Sequence, residues 1–148
     1  MQAQLNINDY AVEELTVKGN PEYQKPSKEQ QGQIDIAFKM KRKGKEPLFM
    51  ITMIIELNKS KKAFIANAYY VYMKINGFFG FPKDTDEETM QKMIGLNGVV
   101  MLFGVARGVV AQATANGAHG KFVLPAVNFV ELIKNSKISS NEPKRKSA

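Results

Sequence analysis

Residues 95–129, GLNGVVMLFGVARGVVAQATANGAHGKFVLPAVNF, decide the fold. Their first part predicts one long apolar helix over residues 96–116. The pair Asn116-Gly117 ends this helix, because both residues tolerate the backbone of a helix C-terminus. Residues 122–127 then form an apolar loop, whereas loops are normally polar because they face water. An apolar loop beside an apolar helix must be covered by something, and a second chain is one candidate.

Two stripes of side chains run along the predicted helix at spacings of three and four residues, which place each stripe on one face. One stripe is largely apolar. The other consists of small residues, which allow another backbone to approach closely. The apolar stripe is Leu96, Val99, Val100, Phe103, Arg107 and Val110, and the small-residue stripe is Gly104, Gly108, Ala111 and Ala115.

The helix is also long enough to span a membrane, and Gly104-x-x-x-Gly108 is a pattern of paired membrane helices. Arg107 near its middle would cost about 2.5 to 3.5 kcal/mol on an insertion scale. The N-terminal MQAQLNINDY lacks the basic-then-apolar pattern of a signal peptide. A helix buried in a soluble protein, partly by a subunit interface, explains the same residues at lower cost. We therefore predict no membrane span.

The remaining sequence predicts a sheet. In residues 33–43, Ile34, Ile36 and Phe38 alternate with Asp35 and other residues, which is typical of a half-buried strand. The four predicted strands are residues 5–17, 33–43, 48–57 and 64–79. Four antiparallel strands, a long helix, an apolar crossover loop and a short C-terminal helix make an α+β fold. We expect one domain over residues 1–138 and a disordered basic tail over residues 139–148.

Several kinds of chemistry are excluded by residues that the chain lacks. It has no Cys and a single His, His119, which we expect on the surface of a loop. No nucleophile elbow or glycine-rich phosphate loop is present. We expect the acidic cluster Asp84, Asp86, Glu87 and Glu88 to cap a helix, where carboxylates favour the dipole, and not to bind metal. We therefore predict no enzyme activity, cofactor or metal.

Residues 95–129 resemble the C-terminal half of the SecB family of protein-export chaperones. That family carries an apolar helix with an LFxxARxxV run, a glycine, a Pro- and Leu-rich crossover loop and PV(N/D)F at the last helix. Here Leu102-Phe103-x-x-Ala106-Arg107, Gly117 and Val127-Asn128-Phe129 follow in the same order. MKINGF at residues 73–78 resembles the end of the family's fourth strand. The resemblance implies a SecB-like fold and a cytoplasmic, ATP-independent holdase that assembles as a dimer of dimers.

The resemblance also implies where partners bind. It places the small-residue stripe at the subunit interface, and it brings the crossover loop, the last helix and a strand side by side as a groove for unfolded polypeptide. Asp9, Glu13 and Ile65 match positions that dock a SecA-type translocase motor, while a third acidic position falls on the neutral Asn67. The expected client-binding residues are Ile34, Ile36, Phe38, Phe122, Val123, Leu124, Phe129, Val130 and Ile133.

The net charge of +7 leaves alternatives open, because members of this family are typically acidic. Together with Asn67, it makes a dedicated partner such as an antitoxin an alternative to a SecA-type motor. Nucleic acid is a further alternative, since basic residues cluster at 39–45, 59–62 and 144–146. Phosphate binding needs such charges on one surface. Successive hairpin turns lie at opposite ends of a sheet, so we expect the first two clusters to be separated.

Overall fold

Four antiparallel strands form one sheet in the order β1-β4-β3-β2, so β1 and β2 lie at its edges. The structure, a computed structural model, describes residues 4–25 and 32–135, and the predicted tail at 139–148 lies outside them. The predicted α+β fold is confirmed. Its elements are β1 Asn6–Gly19, β2 Ile34–Arg42, β3 Leu48–Leu57, α1 Lys61–Ala66, β4 Tyr69–Gly80, α2 Glu87–Met93, a π-helical turn Ile94–Gly98, α3 Val99–Thr114 and α4 Phe129–Asn135.

The core lies on the face of the sheet that carries α3. Side chains alternate between the two faces of a strand, and Met53, Ile55, Met73 and Ile75 on this helix-side face are all 0% exposed. The register places Met53 opposite Ile75 and Ile55 opposite Met73, so the two central strands pack as one layer. The residues between them in sequence point to the other side, which we call the outer face.

A buried asparagine joins the ends of three strands. Asn58, directly after β3, has a φ of 57°, in the left-handed region that asparagine tolerates. Its side-chain amide donates to the carbonyl oxygen of Tyr69 at 2.7 Å, and its Oδ1 accepts from the N–H of Gln33 at 2.9 Å. The beginnings of β4 and β2 are thereby attached to the end of β3.

Asn58→Ala is expected to lower the free energy of unfolding by about 3 kcal/mol. It leaves two backbone groups without their partners and puts alanine into left-handed backbone. Asn58→Gly restores the backbone freedom but not the hydrogen bonds, so it should lose about 1 kcal/mol less. Urea denaturation of both variants measures the difference. Wild-type stability in Asn58→Ala would contradict this role.

The predicted strand over residues 64–79 is wrong at its beginning, where Lys61–Ala66 forms the short helix α1. Ser60 caps this helix by accepting a hydrogen bond from the N–H of Ala63 at 3.1 Å. Asn20, which is distant in sequence, satisfies the other end of α1. This polar capping overrides the strand preference of the apolar run. The amide of Asn20 donates to the carbonyl oxygens of Phe64, Ile65 and Asn67, each at 3.1 Å.

The long helix begins earlier than predicted. α2, the π-helical turn and α3 form one continuous helix, Glu87–Thr114, of 28 residues. Asp86 caps its start by accepting a hydrogen bond from the N–H of Thr89 at 3.1 Å. Hydrogen bonds from the Thr89 hydroxyl and N–H lower the pKa of Asp86. The predicted capping role of the acidic cluster is confirmed at Asp86.

Glu87–Thr114 is the one helix in the described part of the chain that is long and apolar enough to cross a membrane. Its side chains Leu102, Ala106 and Val110 are 0% exposed and belong to the core of the domain. A Cβ atom on Gly98 would lie 2.8 Å from Cδ1 of Ile51 in β3, so glycine here permits a close approach to the sheet. These contacts are typical of a core helix.

Candidate functional site

An apolar trough runs between α3 and the segment that leads into α4. Its volume is about 580 Å³. Asn97 and Arg107 are the only polar side chains in its lining, so the trough suits an apolar occupant. We call it the α3–α4 trough. It is lined by Leu96, Asn97, Val100, Met101, Phe103, Gly104, Arg107, Ala126, Val127, Phe129 and Val130.

Two contacts hold the walls of the trough together. The ring of Phe103 on α3 packs edge-on against the ring of Phe129 on α4, with the ring centres 5.0 Å apart. Nε of Arg107 donates to the carbonyl oxygen of Leu124 at 3.0 Å, which attaches the crossover segment to α3. Apart from its two chain neighbours and the backbone of its own helix, no described atom lies within 4 Å of the place where Gly104 would carry a Cβ atom. The trough is therefore open there to a side chain of another molecule.

The small-residue stripe lies on the opposite side of α3 from the sheet. At about 100° per residue, Gly104 and Gly108 point away from the buried Leu102, Ala106 and Val110. Beyond the chain neighbours and the backbone of the helix itself, neither glycine has a described atom within 4 Å of its Cβ position. The trough lies between the core side and this stripe, and it meets the stripe at Gly104.

The predicted client-binding residues near α4 divide into buried and exposed ones. Leu124 is 0% exposed and Phe129 is 5% exposed, so both belong to the core. Val123 is 48% exposed and Val130 is 62% exposed. In this group, the two valines are therefore the side chains that an incoming chain meets first, and Leu124 and Phe129 support them from below.

The other predicted client-binding residues are half-buried: Phe122, Ile133, Ile34, Ile36 and Phe38. None of them lines the trough, so the structure does not bring β2 to it. The trough is instead walled by Leu96 of the π-helical turn and by Val100 and Met101 of α3. From the sequence, Leu96 and Val100 were predicted on an apolar helix face but not in a site, and Met101 was not predicted at all. Their spacing was the signal that could have found this wall.

Of the predicted motor-docking carboxylates on β1, Glu13 is not free. The side-chain amide of Asn76 donates to Oε1 of Glu13, and Nζ of Lys74 lies 3.3 Å from its Oε2. The hydrogen bonds from Asn76 and Lys74 lower the pKa of Glu13. Asp9 is exposed, and its carboxylate accepts a hydrogen bond from the N–H of Tyr10 at 2.8 Å. Lys74 therefore offsets part of the negative charge on this surface.

The remaining positions of that predicted patch lie on or beside α1. Ile65 is 63% exposed. Asn67, at the position of the third family acid, donates from its side chain to the carbonyl oxygen of Ala63 at 2.8 Å and caps the helix. Asn67 thus has a structural task and contributes no charge.

On the outer face, Tyr70 donates to Oε2 of Glu56 at 2.6 Å, and this hydrogen bond raises the pKa of Tyr70 from 10.0 to about 12. Because the pKa is higher in the folded state, the resulting stabilisation is complete below pH 10 and is lost as the pH rises through about 12. We expect the ultraviolet titration of tyrosinate to contain a late step near that pH. Tyr70→Phe should remove this step, and an unchanged titration would contradict the assignment.

His119 has structural partners, although we expected a simple surface residue. Its ring atom Nε2 lies 2.6 Å from the carbonyl oxygen of Asn20, and its backbone N–H donates to the hydroxyl of Tyr69 at 3.0 Å. The rings of Tyr23 and Tyr69 pack edge-on against the imidazole. His119 thus attaches the loop after α3 to the sheet. Within residues 4–25 and 32–135, no three His, Cys, Asp or Glu side chains cluster as a metal site would require.

The domain has the architecture of a SecB-like chaperone: a four-stranded antiparallel sheet, a long helix, a crossover segment and a short last helix. The model of the family described as preprotein translocase subunit SecB matches residues 1–140. The chain therefore belongs to the SecB family, and this membership supports a chaperone role.

The chain is similar to several solved structures. One is the Mycobacterium tuberculosis Rv1957 SecB-like chaperone in complex with a ChAD peptide from the Rv1956 HigA1 antitoxin. It is 15% identical, with a TM-score of 0.57 over 84% of this chain and 91% of that chain. Another is a protein of unknown function from Streptococcus agalactiae, 9% identical, with a TM-score of 0.44 over 84% of this chain and 100% of that chain. A search of curated protein sequences found no match.

Proposed function

We propose that the protein is an ATP-independent, non-catalytic holdase that keeps client polypeptides unfolded by binding their apolar segments in the α3–α4 trough. The observation that carries the proposal is the open trough itself, with Val130 62% exposed on one wall. Val100 on the facing wall is 47% exposed. Apolar side chains of this kind accept many sequences, because they impose no hydrogen-bonding pattern. The half-buried residues Ile34, Ile36 and Phe38 of the edge strand β2 lie outside the trough lining and would form a separate stretch of the client path.

We further propose a homo-oligomer, a dimer of dimers, that forms through the small-residue stripe of α3. Gly104 belongs both to this stripe and to the trough, so a partner helix on the stripe would border the trough. The uncovered Cβ positions of Gly104 and Gly108 support this arrangement. The client-binding trough and the subunit interface would then meet at Gly104.

The family description favours clients on their way to export from the cytoplasm. A dedicated antitoxin client is the second candidate, and two observations favour it over docking to a SecA-type motor. The Rv1957 structure holds an antitoxin peptide. In the present chain, Glu13 is paired with Lys74, and Asn67 replaces an acid of the motor-docking patch.

Light scattering after size-exclusion chromatography, with and without a reduced and unfolded test protein, examines the proposal directly. We expect an oligomer that binds the test protein and suppresses its aggregation equally well with and without ATP. Competition between several unrelated unfolded proteins would support the general holdase. One stoichiometric partner, untouched by such competition, would support the dedicated chaperone. Failure to retain any unfolded chain would contradict both.

A further inference from the structure

A second apolar cleft lies on the outer face, at the end of the sheet where β2 turns into β3. Its volume is about 370 Å³, and it shares no lining residue with the α3–α4 trough. The register places Met50 of β3 beside Phe78 of β4, and these residues form the apolar floor together with Leu48. Phe78 is 37% exposed, so the floor is accessible. We call this site the outer cleft.

Lysines form one rim of the outer cleft. Lys41 lies opposite Met50 in the register of β2 and β3, which puts it on the outer face next to the floor. Lys43 lines the cleft from the following turn. Among the described residues, Lys41 takes part in no ion pair, and Lys43 comes no closer than 4.0 Å to a carboxylate oxygen of Glu46. Both ammonium groups are therefore available to an anionic partner.

Arg42 also borders the outer cleft, but its guanidinium is already engaged. It donates to two backbone carbonyls of the turn, at 2.9 and 3.0 Å, and pairs with Glu87 at the start of the long helix. These bonds hold the turn in place against the helix. The turn therefore presents Lys41 and Lys43 from a fixed backbone, so less ordering is needed when a partner binds.

We propose that the outer cleft docks an acidic segment of a partner protein, a function separate from client holding in the trough. One apolar side chain of that segment would enter between Met50 and Phe78. Carboxylates beside it would meet Lys41 and Lys43. Charge complementarity supports this occupant, since the chain carries a net charge of +7 and an acidic partner would be attracted before contact.

A peptide segment suits the outer cleft better than a nucleic acid does. Nucleic-acid affinity depends on several phosphate contacts, whereas two lysines face this cleft. The apolar floor at Met50 and Phe78 favours an apolar side chain, which a phosphate backbone does not supply.

Fluorescence anisotropy with a short labelled peptide, carrying one phenylalanine flanked by Asp and Glu, tests the proposal. We expect the wild-type protein to bind it, and Lys41→Glu to weaken binding by about tenfold, because an attractive contact becomes a repulsive one. Lys62→Glu is the matched control, since Lys62 is an exposed lysine on α1, beyond the other end of β3. Replacing the phenylalanine of the peptide by serine should weaken binding comparably.

Four outcomes would overturn the proposal. Binding that Lys41→Glu leaves unchanged would place the peptide elsewhere. Equal binding of the serine peptide would reduce the site to general electrostatic attraction. A labelled single-stranded oligonucleotide that binds more tightly and loses affinity in Lys41→Glu would make the surface a nucleic-acid site. Loss of peptide binding in Val130→Asp would show that the trough holds the peptide as a client, which supports the holdase while removing the outer cleft.

Discussion

Replacing Val130 by aspartate is expected to remove most of the aggregation suppression while leaving the fold intact. Val130 is 62% exposed on α4, so the substitution takes little from the core. In the trough, a client would lose an apolar contact that contributes about 1.5 to 3 kcal/mol when fully buried. The client would also have to cover a carboxylate, which is costly without a partner. Aggregation of a reduced, unfolded protein, followed by light scattering, measures the loss.

Ile65→Asp provides the matched control for Val130→Asp. Ile65 is 63% exposed, is also aliphatic, and lies on α1, outside the trough lining. The Ile65→Asp variant should suppress aggregation as well as the wild type. Because Ile65 is a predicted motor-docking residue, the same variant can also be used to test the motor-docking surface. Val100→Asp, on the facing wall of the trough, should reproduce the loss seen with Val130→Asp. If both trough variants suppress aggregation like the wild type, clients bind elsewhere.

Gly108→Leu is expected to split the oligomer into smaller species without unfolding them. Outside its chain neighbours and the backbone of its own helix, the Cβ position of Gly108 meets no described atom within 4 Å. Leucine also favours a helix over glycine by about 1 kcal/mol. The isolated subunit should therefore be at least as stable as the wild type. A helix packed against the stripe, by contrast, would collide with the new side chain. Light scattering gives the mass, and urea denaturation gives the stability.

Ala113→Leu makes a similar enlargement on another side of the same helix. Ala113 is exposed and, at about 100° per residue, points well away from Gly108. It should leave the oligomer mass unchanged. A Gly108→Leu protein with the wild-type mass would move the interface off the stripe. An equal effect of both variants would mean that the helix responds to bulk in general.

The sheet could be predicted from the sequence because β2 alternates, β3 is a continuous apolar run of strand-favouring residues, and clear turns separate the strands. α1 could not. Its run around Phe64 has the composition of a strand, and it becomes helical because Ser60 caps one end and Asn20, far away in the chain, satisfies the other. The early start of the long helix was hidden by Gly95 and Gly98. Both resemble helix breakers until Gly98 is seen lying against the sheet.

The sequence could predict which segments form the candidate site, but not which of their side chains are exposed. Residues 122–130 were expected to form a groove, yet Leu124 points into the core and Val130 points out. The exposure of a loop residue depends on what the loop crosses, and no local pattern records that. Phe122 is an example of a loop residue whose surroundings the local sequence pattern did not show. We expected it to bind clients from the crossover loop, but its ring centre lies 6.3 Å from that of Tyr69 and it does not line the trough, so Val130 is the cleaner probe of the trough.

The crossover segment is attached by side chains and not by a strand ladder. Its carbonyls at Gly120 and Leu124 accept from Tyr69 and Arg107, and its N–H at Phe122 donates to Thr114. Beyond Leu124, the stretch that contributes Ala126 and Val127 to the trough has no such attachment among the described residues until α4 begins. On one side of the α3–α4 trough, α3 packs on the sheet, whereas the segment on the other side has fewer attachments. We expect this stretch to shift more readily than α3, so that the proposed trough accepts client side chains of different sizes while the sheet stays unchanged.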